Sequence, residues 1–159
     1  MLEDRQTTRR GQKALELEEG KRNRKYFDTA GKATIGIGHL ILPHEEFPDW
    51  IDDDEIYRIF DEDLAAVEST INEEVLHPLS PQQFDALASL VFNIGPTKFR
   101  QSTVLRMVNL YRWEEAADSF LLWNKERDPN DMQRLRVNPG LQARRGRERA
   151  MFLFGEYRD

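Results

Sequence analysis

The sequence predicts an α+β fold, a small β-hairpin lobe set into a mostly helical chain, on three observations. Lys25–Gly38, which contains YFDTAGKATIGIG, leaves the helical period for two extended runs around a turn. From Asp52 onward apolar residues recur every three or four positions, the repeat of an amphipathic helix. Ser80-Pro81-Gln82-Gln83 is a complete helix start: a Ser N-cap, a Pro at the first helical position and a Gln where a capping box needs an acceptor.

Taken in order, residues 8–19 form a short helix with Thr8 as N-cap, an apolar stripe from Ala14, Leu15 and Leu17, and Gly20 as its terminator. Tyr26-Phe27 and Ala33–Ile37 favour strands, and Asp28-Thr29-Ala30-Gly31 between them has turn chemistry. The acidic turn Asp53-Asp54-Glu55 suits a helix N-terminus and leads a stripe of Ile56, Ile59, Phe60, Leu64, Val67 and Ile71. Phe84–Ile94 is nearly all apolar and stops at Gly95-Pro96, as a central buried helix would. Further helices are expected over Ser102–Leu110, Trp113–Trp123 and Gln142–Phe154, with Trp113 and Trp123 serving helix packing. Residues 125–140, with Pro129 and Pro139, read as a polar connection. The expected organisation is one domain over residues 1–159. Its β lobe spans about 24–42 and its helical lobe about 52–159, joined by the N-terminal helix with a cleft between the lobes.

Composition narrows the function. A chain of 159 residues with 39% apolar and 33% charged residues can bury its own core. No apolar run approaches the roughly 20 residues that span a bilayer, and the charged first 24 residues do not resemble a secretory signal, so no stable membrane insertion is expected. Without Cys, thiolate catalysis and Cys-based zinc sites are excluded, and His39, His44 and His77 lack the spacing that puts two ligands on one helical face. Neither a metal nor another cofactor is expected. The net charge of -6 is unevenly spread: residues 44–74 hold thirteen acids and one base, Arg58, whereas residues 134–159 hold seven Arg and three acids. The segregation suits solvated helix faces of opposite sign, or a basic region that attracts an anionic polymer.

The chemistry concentrates in EEGKRNRKYFDTAGKATIGIGH, residues 18–39. A helix ending at Glu19-Gly20 and a hairpin returning after it can bring Glu19, Asp28 and Thr34 to one cleft. Two carboxylates across a cleft suit glycosidic hydrolysis, in which one protonates the leaving oxygen and the other activates water. Each residue also has an ordinary use: a solvated helix end for Glu19, a turn-forming Asx for Asp28, plain strand propensity for Thr34. Gly36 and Gly38 allow a sugar chain to approach the strand backbone.

Glu19-Gly20, Tyr26-Phe-Asp28-Thr-Ala-Gly31 and Thr34-Ile-Gly-Ile-Gly-His39 resemble the active-site region of the phage-type lysozymes, endolysins that cleave bacterial peptidoglycan. The resemblance continues through LSPQQFDALASLVFNIG (79–95), FRQSTVLRMVN (99–109), WEEAADSFLLW (113–123) and PGLQARRGRERAMFLFG (139–155). It implies a lysozyme-like two-lobe fold and an inverting muramidase. Glu19 is then the general acid, Asp28 the carboxylate that positions or activates water, and Thr34 that water's neighbour. Inversion implies room for water between carboxyl groups about 6.5–9.5 Å apart. Glu18 is left a surface or salt-bridge role. The resemblance also places Arg144 beside Glu19, where it favours the ionised carboxylate although a general acid must carry a proton; water exclusion by bound sugar opposes it. Leu40, Phe92 and Asn93 become candidate sugar contacts, each equally explained by packing. His39 becomes a supporting hydrogen-bonding residue, and Arg145 and Arg149 are expected to be solvated.

By the same resemblance the protein is a monomer made in the host cytoplasm that reaches the wall with a holin-type partner. Its acidic charge departs from the basic character of many members. Two rivals remain: a lytic transglycosylase, which would need only one carboxylate, and a non-hydrolytic wall-binding or structural phage module. A nucleic-acid partner is not expected, since the Arg-rich end lacks a reading motif.

Overall fold

The computed structural model describes residues 4–159, which fold as α1 (Arg9–Glu19), β1 (Arg22–Phe27), β2 (Ala33–Gly36), β3 (His39–Leu40), α2 (Asp53–Glu74), α3 (Pro81–Ile94), α4 (Pro96–Arg100), α5 (Thr103–Asn109), α6 (Trp113–Phe120), β4 (Lys125–Asp128), β5 (Asp131–Val137) and α7 (Pro139–Phe154). The α+β architecture is the expected one, and local chemistry accounts for most boundaries. Thr8, Asp52 and Ser80 accept from backbone amides of the first turns of α1, α2 and α3, and Gln83 completes the capping box.

Two cores lie on either side of α2. The smaller, under the β1-β2-β3 sheet, holds Leu15, Ile35, Ile37, Ile51, Ile56, Ile59, Phe60 and Leu64. The larger gathers the helical lobe around Phe84, Leu87, Leu90, Phe99, Phe120 and Phe152. The first half of α2 serves the small core, and Val67 and Ile71 serve the large one. Likewise α1 gives Leu15 to one and Ala14 to the other. Phe92 packs against both, meeting Phe60 edge to face at 5.8 Å. The last turn of α1 therefore lies at the seam between lobes.

The other end of α1 is clamped to α3. At Gly11 a β-carbon would lie 2.4 Å from Asp85 Cγ, so only glycine permits this approach. Buried Asp85 accepts from the Thr8 amide at 2.8 Å and from the Thr8 and Tyr157 hydroxyls, each at 2.5 Å.

Three features correct the sequence reading. The polar connection is a hairpin: β4 and β5 pair antiparallel, Glu126 lies opposite Arg136 with an ion pair of 3.1 Å, and Asp128 Oδ1 accepts from Asn130 N to close the turn. Charged residues on short, exposed strands conceal the alternation that marks a half-buried strand. Next, α7 begins at Pro139 rather than Gln142, because Asn138 caps it and Pro139 occupies its first turn. Last, Pro96–Arg100 forms an additional short helix directly after the stop at Gly95.

Candidate active site

Glu19 is the final residue of α1, and its two carboxylate oxygens have different surroundings. Oε2 accepts from Arg144 Nη1 at 2.7 Å. Oε1 faces Gly38, where a β-carbon would stand only 2.6 Å away. Gly38 sits at φ 64° in the turn between β2 and β3, a left-handed conformation that glycine adopts without penalty. The side chain keeps 15% of its exposure, so the acid is sheltered without being sealed.

Asp28 follows β1 and closes the hairpin. Its Oδ1 accepts from Ala30 N at 2.9 Å and Lys32 N at 2.8 Å, so the Asx-turn use is real. That use fixes the side chain and leaves Oδ2 without a hydrogen bond among the described residues. In each acid one oxygen is held and the other is free.

Thr34 lies opposite Tyr26 on β1 and Leu40 on β3, so the three form one cross-strand row. The Thr34 side chain is buried, and its hydroxyl donates to Lys32 O at 2.9 Å, leaving the oxygen lone pairs as acceptors. The Tyr26 phenol titrates above its ordinary range because of burial, then because of Glu19; Arg22 opposes this and Asp28 adds to it. One hydroxyl thus feels both carboxylates. Tyr26 was absent from the candidate residues, although its place two residues before Asp28 was visible.

Behind Glu19 lies a buried ion network. Arg144, besides binding Glu19, donates through Nε to Glu148 Oε2 at 3.2 Å and through Nη2 to Ser89 O at 3.1 Å. Glu148 is shared: its Oε1 lies 2.5 Å from Arg145 Nη1, and its Oε2 also accepts from the Ser89 hydroxyl at 2.5 Å. Two guanidinium and two carboxylate groups make the cluster formally neutral, as low-dielectric burial requires. Burial opposes the Arg144 charge, but Glu19 and Glu148 outweigh it and hold the guanidinium above its ordinary range. Arg145, expected to be solvated, is instead fully buried; it reaches Trp123 O at 2.9 Å and Asn93 Oδ1. The physical reason is Glu148, which supplies its counter-charge one turn along α7. Arg149 is half-exposed and pairs with Asp118 at 2.8 Å.

Among the remaining candidates, Leu40 is exposed, Phe92 is half-buried between the cores, and Asn93 is exposed at the end of α3 with its amide held through Oδ1 by Arg145. His39 lies between Asp63, 2.7 Å from Nδ1, and Glu45, 3.0 Å from Nε2. Both ring nitrogens therefore donate, and the Asp63 bond leads in pushing its pKa up to about 9 against the effect of burial. Glu18 is an ion-pair residue but is 7% exposed rather than a surface group, bonded to Arg147 at 2.8 Å and Arg158 at 2.9 Å. These arginines, with Arg144, hold its carboxyl below the ordinary range despite burial.

A separate cavity of about 390 Å³ lies beside His39 and Glu45, but of its four acids Glu45, Glu55 and Glu62 are bonded to His39 or Arg58, which leaves Glu46 alone without such a partner among the described residues. It does not offer the pair of half-anchored carboxylates that Glu19 and Asp28 provide. Among the described residues there is no cluster of His, Cys, Asp and Glu fit for a metal, and no helix long and apolar enough to cross a membrane.

The family model for phage lysozyme matches residues 16–148. The endolysin of Salmonella phage P22 is 42% identical over 142 residues, covering 87% of this chain and 92% of that protein. An endolysin from Escherichia coli O157:H7 phage FAHEc1 superposes with a TM-score of 0.89 at 25% identity, covering all of both chains. A crystal structure of a P22 lysozyme mutant gives 0.76 at 39% identity, over 94% of this chain and 99% of that one.

Proposed function

Because the chain belongs to the phage lysozyme family and is a peptidoglycan-hydrolysing enzyme, we propose that Glu19, Asp28 and Thr34 perform an inverting hydrolysis of the β-1,4 bond between N-acetylmuramic acid and N-acetylglucosamine. What supports the proposal is that Glu19 and Asp28 each have one carboxyl oxygen held by hydrogen bonds and the other with none among the described residues, and that Asp28 directly follows the strand on which Tyr26 lies opposite Thr34.

In this reading Glu19 delivers its proton from Oε1 to the bridging oxygen, since Oε2 is occupied by Arg144. Bound sugar excludes water and favours the protonated acid; Arg144 opposes this while holding the group in place. On the far face, a water gives one hydrogen bond to Asp28 Oδ2 and one to Thr34 Oγ1, which can only accept because its own proton serves Lys32 O. With both hydrogens engaged, the water's lone pair is directed at the anomeric carbon. As its oxygen bonds to that carbon, the glycosidic bond breaks, Asp28 takes the water's proton, and the anomeric configuration inverts. Asp28 then releases that proton to solvent, and solvent returns one to Glu19, which restores the starting state. Leu40, Phe92 and Asn93 are proposed sugar contacts, and His39 a support for the sheet.

The itinerary is part of the proposal: a monomer made in the host cytoplasm, reaching the wall after a holin-type partner opens the inner membrane. That part rests on the family rather than on particular residues.

Glu19→Gln and Asp28→Asn are the decisive variants. Each is expected to lower clearing of outer-membrane-stripped Gram-negative cells by about 10²- to 10⁴-fold while remaining folded. Products should have gained water and should first appear with inverted configuration by NMR. Anhydro sugars would instead identify a transglycosylase, and full activity of Glu19→Gln would end the assignment.

A further inference from the structure

The outer side of β1 carries a feature that the hydrolytic step does not use. A shallow groove of about 310 Å³ is lined by Arg22, Asn23, Arg24, Lys25, Tyr26 and Trp50. Its shape follows from local bonding: Ile51 N donates to Asn23 O at 3.0 Å and Asn23 Nδ2 to Ile51 O at 2.8 Å, which lays the segment bearing Trp50 beside β1. Trp50 remains 54% exposed and Phe27, at the end of the strand, 73% exposed.

Charge makes the groove unusual for this chain. The protein has a net charge of -6, yet residues 21–32 contain five basic residues and one acid, Asp28. Lys21 is paired with Asp53 at 2.7 Å. Arg22 lies over the Tyr26 ring at 4.6 Å, and Arg22, Arg24, Lys25 and Lys32 form no ion pair among the described residues. Arg58, Arg100 and Arg136 by contrast each meet carboxylates on a neighbouring turn, helix or strand, and other bases without an ion pair among the described residues, such as Lys13, Lys98 and Arg106, lie apart from one another in the sequence. A run of unneutralised cations on one short strand sets a local positive field within an acidic molecule.

We propose that this groove is a second binding site for the wall polymer, outside the bond-cleaving positions: Trp50 stacks on a sugar face while Arg24 and Lys25 bind carboxylates of the peptide stems. The proposal rests on the hydrolytic reading above. Two further observations favour this occupant. Tyr26 belongs to the groove and lies opposite Thr34, two residues before Asp28, so the groove runs along the strand that leads to the proposed water-handling pair. The groove also combines aromatic and cationic groups, which suits a polymer whose sugars are apolar on one face and whose stems are anionic. It gives an acidic enzyme a local means of holding an anionic substrate.

The test uses Glu19→Gln protein as a non-cleaving background and measures its sedimentation with purified murein sacculi at low and high salt. Adding Arg24→Gln and Lys25→Gln is expected to weaken binding about five- to tenfold near 50 mM salt and less than about twofold near 500 mM, since exposed charges are screened. Trp50→Ala should weaken it about threefold at both, because stacking is not screened. In otherwise native protein the same substitutions should leave turnover of a short soluble muropeptide unchanged while slowing that of intact sacculi. Unchanged sacculus binding with unchanged melting temperature would overturn the proposal. So would loss confined to a single-stranded DNA probe. The hydrolytic reading fails by a different result, full activity of Glu19→Gln, so the two failures are distinguishable.

Discussion

Oε1 of Glu19 occupies space that a β-carbon on residue 38 would need: the two would stand 2.6 Å apart. Gly38→Ala must therefore displace the free oxygen of the proposed acid. It should also cost about 1–2 kcal/mol because its φ is 64°. Gly95→Ala is the control, with φ 88° and open space around the added carbon. Both variants should lose thermal stability, Gly95→Ala through backbone strain alone because φ 88° and ψ 162° suit glycine, but only Gly38→Ala should lose activity, at least about tenfold. Equal activity losses in initial-rate assays would show that strain alone is responsible.

Arg144 and Glu148 should each support turnover by holding the Glu19 carboxyl in place. Around Glu19 the charged or titratable groups are Arg144 and Arg145 from α7, Glu148 beside them, Glu18 on its own helix, and Tyr26 and Asp28 from the hairpin. Arg144→Ala removes the group that anchors Glu19 Oε2, so kcat should fall by at least about tenfold. Glu148→Gln removes the counter-ion shared by two arginines and loosens the hold on Arg144, so kcat should fall by a smaller factor. Each leaves a buried charge uncompensated and should cost about 3 kcal/mol of stability in urea unfolding. An unchanged kcat in both variants would disconnect the network from catalysis.

His39 makes stability depend on pH in a defined window. Its folded pKa is about 9, raised chiefly by Asp63, against an ordinary value near 6.5. A raised pKa means that the contribution is fully present below about pH 6.5 and is lost as pH climbs through 9; its size is at most about 3 kcal/mol. Urea unfolding at about pH 6 and pH 10 should therefore show a larger fall for native protein than for His39→Asn. Parallel falls would mean that other groups account for it.

The β4–β5 hairpin should be the least protected of the ordered elements. Every residue of β5 is exposed, and a two-stranded ribbon is marginal without a packed face. Amide exchange over Asp131–Val137 is expected to be orders of magnitude faster than over Phe84–Val91 of the buried α3. Comparable protection would imply contacts that the ribbon lacks.

Much of this molecule was legible where a few neighbouring residues suffice. Ser80 through Gln83 announces α3, Asp52 with its acidic first turn announces α2, and Asp28 through Gly31 announces the turn of the sheet. The hairpin after Trp123 was not legible, because its strands are stabilised by cross-strand charges rather than by an apolar face. Arg145 was misread as solvated because arginines usually are, and nothing within its own turn shows that α3 will cover it.

By itself the sequence determined the helix caps, the periods, the two lobes and the spacing of Glu19, Asp28 and Thr34, all through interactions spanning a turn or two of chain. Only the tertiary structure decided which atoms of those residues are anchored and which are free. Arg144 meets Glu19 across 125 positions of sequence, and Arg145 meets Asn93 across 52. Whether a charge is solvated or buried depends on what other segments place around it. Caps and periods are local consequences of backbone geometry, whereas that surrounding exists only after α1, α3 and α7 have packed.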